Sequence, residues 1–254
     1  MIRWIGRLRQ GISVLATAGR GLLFPPRCAC CDAELFEADG PWSLCPDCLA
    51  RLAPSAWHGC RRCGSEVLDC DFSPERCPRC TNLSLRFDAA VPLGSYHGEL
   101  RDVVLRMKRP SHNALALAMG RLLAERRREE LLALQARVIV PVPMFWARRL
   151  GRGTNNPDVL AGCLGQALGI PVCRHVLIRR RNTLPQARLP PSRRFENVRG
   201  AFRVRCPDAV RDARVLLVDD VLTTGATCSE AAKMLKGAGA ASVAVAVVAR
   251  TQER

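Results

Sequence analysis

The side chains best suited to chemistry in this 254-residue chain fall in one stretch, VLLVDDVLTTGAT at residues 215–227. Residues 215–218 have the unbroken apolar character of a strand covered on both faces, and residues 226–235 suit a helix. Asp219 and Asp220 follow the apolar run, and a loop of Thr223, Thr224, Gly225, Ala226 and Thr227 opens the helix. Backbone N–H groups at a helix N-terminus and three threonine hydroxyls can hold a phosphate, and Gly225 lets the backbone come close to it. The two carboxylates repel a phosphate placed among them. One sugar length away they accept hydrogen bonds from vicinal ribose hydroxyls or hold a divalent cation. The spacing reads as a ribose-phosphate site at a strand-to-helix turn.

A second set of reactive side chains lies upstream. Ten of the 14 cysteines fall between Cys28 and Cys80, and eight of them form CxxC pairs. Cys28 and Cys31 are followed after thirteen residues by Cys45 and Cys48, and Cys60 and Cys63 after the same thirteen by Cys77 and Cys80, a unit repeated with an offset of 32. Even spacing in pairs points to metal rather than disulfides, and four thiolates from two turns make a structural tetrahedral zinc site. Two structural zinc ions are expected. A segment so poor in aliphatic residues draws much of its folding free energy from them. Cys30 and Cys70 lie outside both quartets; Cys30 is an alternative ligand to Cys28 or Cys31, but only Cys28 with Cys31 repeats the two-residue gap. Cys163, Cys173, Cys206 and Cys228 read as small buried residues, with Cys228 the one to test for reactivity.

Those sites need elements to carry them. Residues 87–96 read as a strand, 98–107 as a helix, 113–136 as a long helix with residues 125–130 in solvent, and 138–142 as a buried strand. A helix over 157–168, strands near 172–178 and 200–204, the strand at 215–218, its helix and a last strand at 242–249 follow. This alternation predicts a mainly parallel sheet with helices on both faces and ligands at the carboxyl ends of the strands. Val138-Ile-Val-Pro-Val-Pro at residues 138–143 then leads to a basic, glycine-bearing loop. There Arg148, Arg149 and Arg152, with Gly151 and Gly153, form a candidate second anion site.

The formal net charge is +16, and all but three of the 39 basic residues are arginine, the exceptions being Lys108, Lys233 and Lys236. No acid occurs over residues 159–195, where Arg174, Arg179, Arg180, Arg181, Arg188, Arg193 and Arg194 lie, and Arg199, Arg203 and Arg205 follow. Guanidinium forks suit a diphosphate or a nucleic-acid backbone. Aromatic residues are sparse there, with Phe195 and Phe202, so base stacking has little independent support. No apolar run nears the roughly 20 residues that span a bilayer. Residues 1–27 read as an amphipathic helix docked on the protein rather than an export signal. The three isolated histidines His97, His112 and His175 read as surface or packed residues.

The stretch 215–227 resembles the 5-phosphoribosyl-1-diphosphate (PRPP) motif of type I phosphoribosyltransferases. The whole constellation resembles the ComF family of competence and DNA-utilisation proteins. The matching pieces are Pro26-Arg27-Cys28 with the CxxC pairs, Lys108, Pro141 to Pro143, Arg152-Gly153 with Asn155, and Arg181 and Thr183 with Gln186. Arg194, the NVRGAF run at 197–202 and residues 218–227 complete them. Two positions depart: Thr154-Asn155-Asn156 stands for an aromatic residue and Asn-Gln, and Arg193 for an acid. The resemblance implies an amphipathic helix over 1–27, a double zinc ribbon over 28–84 and a type I phosphoribosyltransferase-like α/β domain over 85–254. It implies a cytoplasmic protein of DNA uptake that binds PRPP with Mg²⁺. In it Asp219 and Asp220 orient the ribose, residues 223–227 anchor the 5′-phosphate, and Lys108, Arg148 and Arg152 meet the diphosphate. Two other readings stay open: a single-stranded-DNA-binding protein that uses the site for ligand or DNA phosphate, and an adaptor whose zinc ribbons dock a helicase or translocase.

Overall fold

A computed structural model describes residues 25–35, 43–52, 58–67, 77–81, 83–109, 112–148 and 154–252. A four-stranded parallel sheet forms from β1 (Ala89–Ser95), β2 (Val138–Pro141), β5 (Arg214–Leu222) and β6 (Ser242–Arg250), in the order β1-β6-β5-β2. The side chains of its strands divide between two apolar layers. Leu216 and Val218 of β5 join Ile139, Ala244, Ala246 and Val248 against the helices α3 (Gly98–Met107), α4 (Asn113–Arg126) and α6 (Asn156–Leu168). Val215 and Leu217 join Val138, Val140, Val243, Val245 and Val247 against α8 (Ala226–Gly237). The period-two pleat and near-continuous aliphatic strands are what a sheet buried on both faces requires.

The two cysteine units are structural repeats as well as sequence repeats. Arg27 bridges to Glu34 and Gly59 to Glu66, while the Asp32 N–H donates to Cys28 O and the Gly64 N–H to Cys60 O, each shifted by the same 32 residues. The residue at that turn has positive φ in both, 66° for Asp32 and 68° for Gly64. The second cysteine pair of each unit follows with a short helix, α1 (Pro46–Leu52) and α2 (Pro78–Thr81). The units take opposite sides of the sheet. Cys28, Leu44, Cys48 and Leu52 are buried with α3 and α4, whereas Cys60, Cys63, Cys77 and Cys80 are buried with Leu85, Phe87 and α8.

Three expectations are corrected. The helix expected over 113–136 breaks at Arg127, where φ is −115°, and resumes as α5 (Arg128–Ala133). Arg127 is 2% exposed rather than solvated. Its Nε donates to Pro92 O at 3.2 Å and its Nη2 to Leu93 O at 2.8 Å, and Glu130 lies 3.8 Å from Nη1. Carbonyls on the outer edge of β1 need partners, and turning Arg127 inward supplies them at the cost of a helical turn. The strands expected near 172–178 and 200–204 do not join the parallel sheet. They form a separate antiparallel pair, β3 (Leu177–Arg179) with β4 (Phe202–Val204), flanking α7 (Pro191–Val198). Val172 touches the main sheet only through a bridge to Ile139. Cys206 is exposed and Cys173 half-buried, against the expectation that both are buried. Residues 1–24 of the expected N-terminal helix lie outside the described residues, as do Cys70, Arg149, Gly151, Arg152 and Gly153. Among the described residues no helix is long and apolar enough to cross a membrane.

Candidate functional site

Strand β5 runs past its apolar segment through Asp219 and Asp220 to Leu222, so both carboxylates sit at the carboxyl end of a central strand. Gly225 then turns the chain at φ 82° and opens α8. A side chain there is excluded twice, by the left-handed backbone and because a Cβ would lie 2.9 Å from Leu85 Cδ2. Thr224 is buried and its Oγ1 accepts the Ala226 N–H at 3.4 Å, while Ala226 is buried and Thr223 and Thr227 are half-exposed. The structure therefore gathers residues 223–227 into one turn at a helix N-terminus, with the N–H-rich, positive end of α8 facing it.

The two acids have different surroundings. Asp220 is half-buried, with Lys108 Nζ 3.9 Å from its Oδ2. Lys108 is the C-cap of α3, so that helix delivers a cation to the carboxyl end of β5. Asp219 turns inward. Its Oδ1 accepts the Asp220 N–H at 2.9 Å and its Oδ2 faces Cys228 Sγ at 3.8 Å. Burial, with the neighbouring Asp220 charge adding to it, pushes the Asp219 carboxyl up to about 8. Cys228 is held as a neutral thiol by its own burial and by the Asp219 charge, the opposite of a reactive thiolate.

A pH effect follows. The folded pKa of Asp219 lies above its unfolded value, so its contribution to stability is full below about pH 4 and is lost as pH rises through about 8. Between pH 6 and 8 the chain should lose about 1 kcal/mol per pH unit, solvent contact included, relative to Asp219→Asn. Urea unfolding of both proteins across that window checks it. Parallel pH curves would remove Asp219 as the cause.

Two arginines converge beside the acids. Arg148 Nη2 donates to Thr183 O, and Arg179 Nη2 donates to Thr183 Oγ1 at 2.5 Å. Burial, then the nearby Arg148 charge, lowers the Arg179 pKa, and its Nε is buried without a hydrogen-bond acceptor. Two like charges and an unused donor beside buried Thr183 are what an anion would complete. The segment after them latches onto the threonine–glycine turn at 223–227. Gln186 Nε2 donates to Thr227 Oγ1 at 3.4 Å, and Asn197 Nδ2 donates to Gln186 Oε1 at 3.2 Å and to Leu184 O at 3.0 Å.

Of the residues expected in the site, Asp219, Asp220, Lys108 and 223–227 come together, and Arg148 reaches it through Thr183. Sequence reading counted Arg179 only within the arginine run of the polyanion surface and gave no role to Arg250. Arg250 closes β6 as a lone charge after seven apolar residues, a signal visible in the sequence. Arg179 carries no such mark, because it is one of three consecutive arginines.

The cysteine quartets fit zinc by geometry. Each set of four Sγ atoms lies within 4.8 Å of one another. The separations are 3.6 Å for Cys31 to Cys45, 3.7 Å for Cys60 to Cys80 and 3.5 Å for Cys63 to Cys77. A tetrahedron with Zn–S near 2.3 Å has edges of about 3.8 Å. The Cys45 N–H also donates to Cys28 Sγ at 3.3 Å, as a thiolate ligand favours. Cys28, not Cys30, completes the first quartet. Cys30 instead offers its carbonyl to Arg106 Nη1 at 2.6 Å.

Comparison with known proteins agrees with this anatomy. The family described as "Phosphoribosyl transferase domain" matches residues 111–254. The chain is similar to Competence protein F of Haemophilus influenzae, 29% identical over 88% of this chain and 96% of that protein. It is similar to the DNA utilization protein YhgH of Escherichia coli K12, 32% identical over 91% of this chain and 99% of that one. A shorter stretch, 32% of this chain, is 34% identical to 42% of the adenine phosphoribosyltransferase of Treponema pallidum. With two four-cysteine clusters ahead of a phosphoribosyl transferase domain built on a parallel sheet with helices on both faces, and full-length likeness to these competence and DNA-utilization proteins, the chain belongs to the ComF family.

Proposed function

We propose that this chain binds PRPP with Mg²⁺ at residues 215–227 and serves the handling of DNA taken up by the cell. The observation that carries the reading is the continuity of β5. One strand delivers paired carboxylates and, three residues on, the turn of threonines and Gly225 that opens α8. A 5′-phosphate sits on the N–H groups of residues 223–227 and the threonine hydroxyls. With ligand and Mg²⁺ bound, Asp219 gives up the proton it holds in the ligand-free chain, and both ionised carboxylates accept the ribose 2′- and 3′-hydroxyls and suit Mg²⁺, a cation that prefers carboxylates and phosphate oxygens. Lys108 and the Arg148–Arg179 pair stand beside the acids and supply cations for the diphosphate, and Arg152, which lies outside the described residues, is given the same role from the sequence. When a nucleophile displaces the diphosphate at the anomeric carbon, these cations stabilise the negative charge of the leaving group, so the protein acts through position and electrostatics. A cytoplasmic setting fits eight thiolates that must stay reduced to hold zinc.

A second reading makes the site a ligand sensor or a grip for a DNA 5′-phosphate. It draws on the arginine surface: Arg174, Arg180, Arg181, Arg188, Arg199, Arg203 and Arg205 are all exposed, whereas Arg179 and Arg194 are half-buried in local hydrogen bonds. The adaptor reading loses its simple deletion test, because removing residues 28–80 strips buried side chains from both layers of the core.

Isothermal titration of the zinc-loaded protein with PRPP and Mg²⁺ decides first, followed by diphosphate release on adding candidate acceptors. Binding with release makes the chain a transferase. Binding without release for any acceptor favours the sensor. No binding to folded protein, with salt-sensitive binding of a single-stranded oligonucleotide, leaves the DNA-handling reading alone.

A further inference from the structure

We propose that the second four-cysteine site holds the phosphate turn in shape through Arg250, so that zinc at Cys60, Cys63, Cys77 and Cys80 and the phosphoribosyl ligand stabilise each other's binding. This rests on the PRPP reading above for the identity of the ligand, but not for the strut itself.

Arg250 is a 6% exposed cation at the carboxyl end of β6, paired in register with Leu222 of β5. Its Nε donates to Cys63 O at 2.8 Å, within the metal-ligating turn. Its Nη1 donates to Leu222 O at 3.0 Å and to Thr223 O, the carbonyls that lead into the phosphate turn. Thr251 O accepts from the same nitrogen at 2.7 Å. One rigid guanidinium thus ties a zinc-ligand carbonyl to the first residues of the ligand turn.

A second route runs alongside it. From Cys80 the chain continues through Leu83 to Leu85 and Phe87, the two side chains that pack under Gly225. Arg62, between the ligands Cys60 and Cys63, donates to Leu85 O at 2.6 Å and lies over the Phe87 ring. The Arg86 N–H donates to Ser229 Oγ at 3.1 Å, in the first turn of α8. The second quartet is buried throughout, whereas in the first Cys31 is exposed and Cys45 half-exposed. The first unit bears instead on α3, through Arg106 to Cys30 O and Arg51 to Glu99.

Zinc fixes the 60–64 turn, and without it Cys63 O is free to leave Arg250. Leu222 and Thr223 then lose a shared donor, and the phosphate amides lose their common orientation. Linkage makes the effect reciprocal in affinity: a ligand that orders residues 223–227 tightens zinc at the second site, and slower zinc loss follows where dissociation carries that tightening.

The test uses the full chain with both zinc ions bound. Saturating PRPP with Mg²⁺ should slow transfer of one of the two zinc equivalents to a chromogenic chelator by about tenfold, a size usual for coupling between sites. Arg250→Met should keep two zinc ions and a cooperative melt at a lower temperature, lose that slowing at ligand concentrations that saturate it, and bind PRPP about tenfold more weakly. Its amide exchange should rise at residues 222–227 and stay unchanged in α4, and Arg250→Lys should restore part of the protection. Retained slowing with unchanged exchange at 222–227 overturns the strut. If wild type binds no PRPP, the functional reading fails, and the ligand-free exchange comparison still decides the strut. If Arg250→Met does not fold, Leu85→Ala carries the same comparison through the second route.

Discussion

Replacing Asp219 and Asp220 together by asparagine is expected to abolish measurable binding of PRPP with Mg²⁺ while leaving the fold and the binding of single-stranded DNA in place. A hydrogen bond to an ionised carboxylate contributes about 1.5–3 kcal/mol. Losing two weakens binding by about 100- to 10,000-fold. The fold tolerates the change for a reason visible in the site itself. Asp219 is already largely protonated at neutral pH because of its burial and its neighbour, and asparagine copies that neutral form in size and polarity. The double variant should therefore melt at or above the wild-type temperature. Calorimetry with PRPP, a thermal melt and an oligonucleotide titration settle it. Loss of PRPP and DNA together with the melt intact points to one shared site. PRPP binding within a few-fold of wild type removes both carboxylates from the ribose.

Stripping zinc from the reduced protein should cost it its cooperative unfolding transition altogether. Structural zinc in small thiolate sites contributes about 10–16 kcal/mol of apparent binding free energy. A whole domain is stable by only about 5–15 kcal/mol. The ligands here are not a detachable appendage: Cys28 and Cys48 lie in the layer with α3 and α4, and the second quartet in the layer with α8. Without metal, four thiols crowd together in each of two clusters, and the short helices α1 and α2 have little else to hold them. Metal analysis should find two zinc ions per chain, and circular dichroism of the chelated protein should show a broad, uncooperative melt. An apoprotein that unfolds as sharply and at the same temperature as the loaded one would make the quartets dispensable. The exposed ligand Cys31 marks the first site as the one to lose metal sooner.

What was readable in the sequence is what depends on local order. The β5 strand, the Gly225 turn and α8 are contiguous, so their residue types alone place the carboxylates next to the phosphate loop. The quartets were readable because thiolate spacing is set by the metal rather than by distant packing. The roles of Arg127 and Arg250 were not, although Arg250 stands out as a lone charge after an apolar run, since each is a cation whose partners are main-chain carbonyls from other parts of the chain. In sequence, Arg127 is one more charge in a charged helical stretch, and only the open edge of β1 explains why it turns inward. β3 and β4 have three residues each and pair with one another across α7. Their apolar character matches that of strands in the main sheet, so composition could not say which sheet they join.

The middle of β1's outer edge is covered, and this bears on how the protein behaves in a crowded solution. The Ala90 N–H is taken by Arg61 O, Pro92 has no N–H to offer, and Arg127 occupies the carbonyls of Pro92 and Leu93. An open edge on a flat aliphatic sheet is a template on which another chain can add a strand. Here one donor and two acceptors in the middle of that edge are already taken within the molecule, and proline removes another donor. Arg127→Met combined with Pro92→Val is therefore expected to open this edge to a second copy of the chain, and light scattering of the folded variant should show concentration-dependent association that the parent lacks.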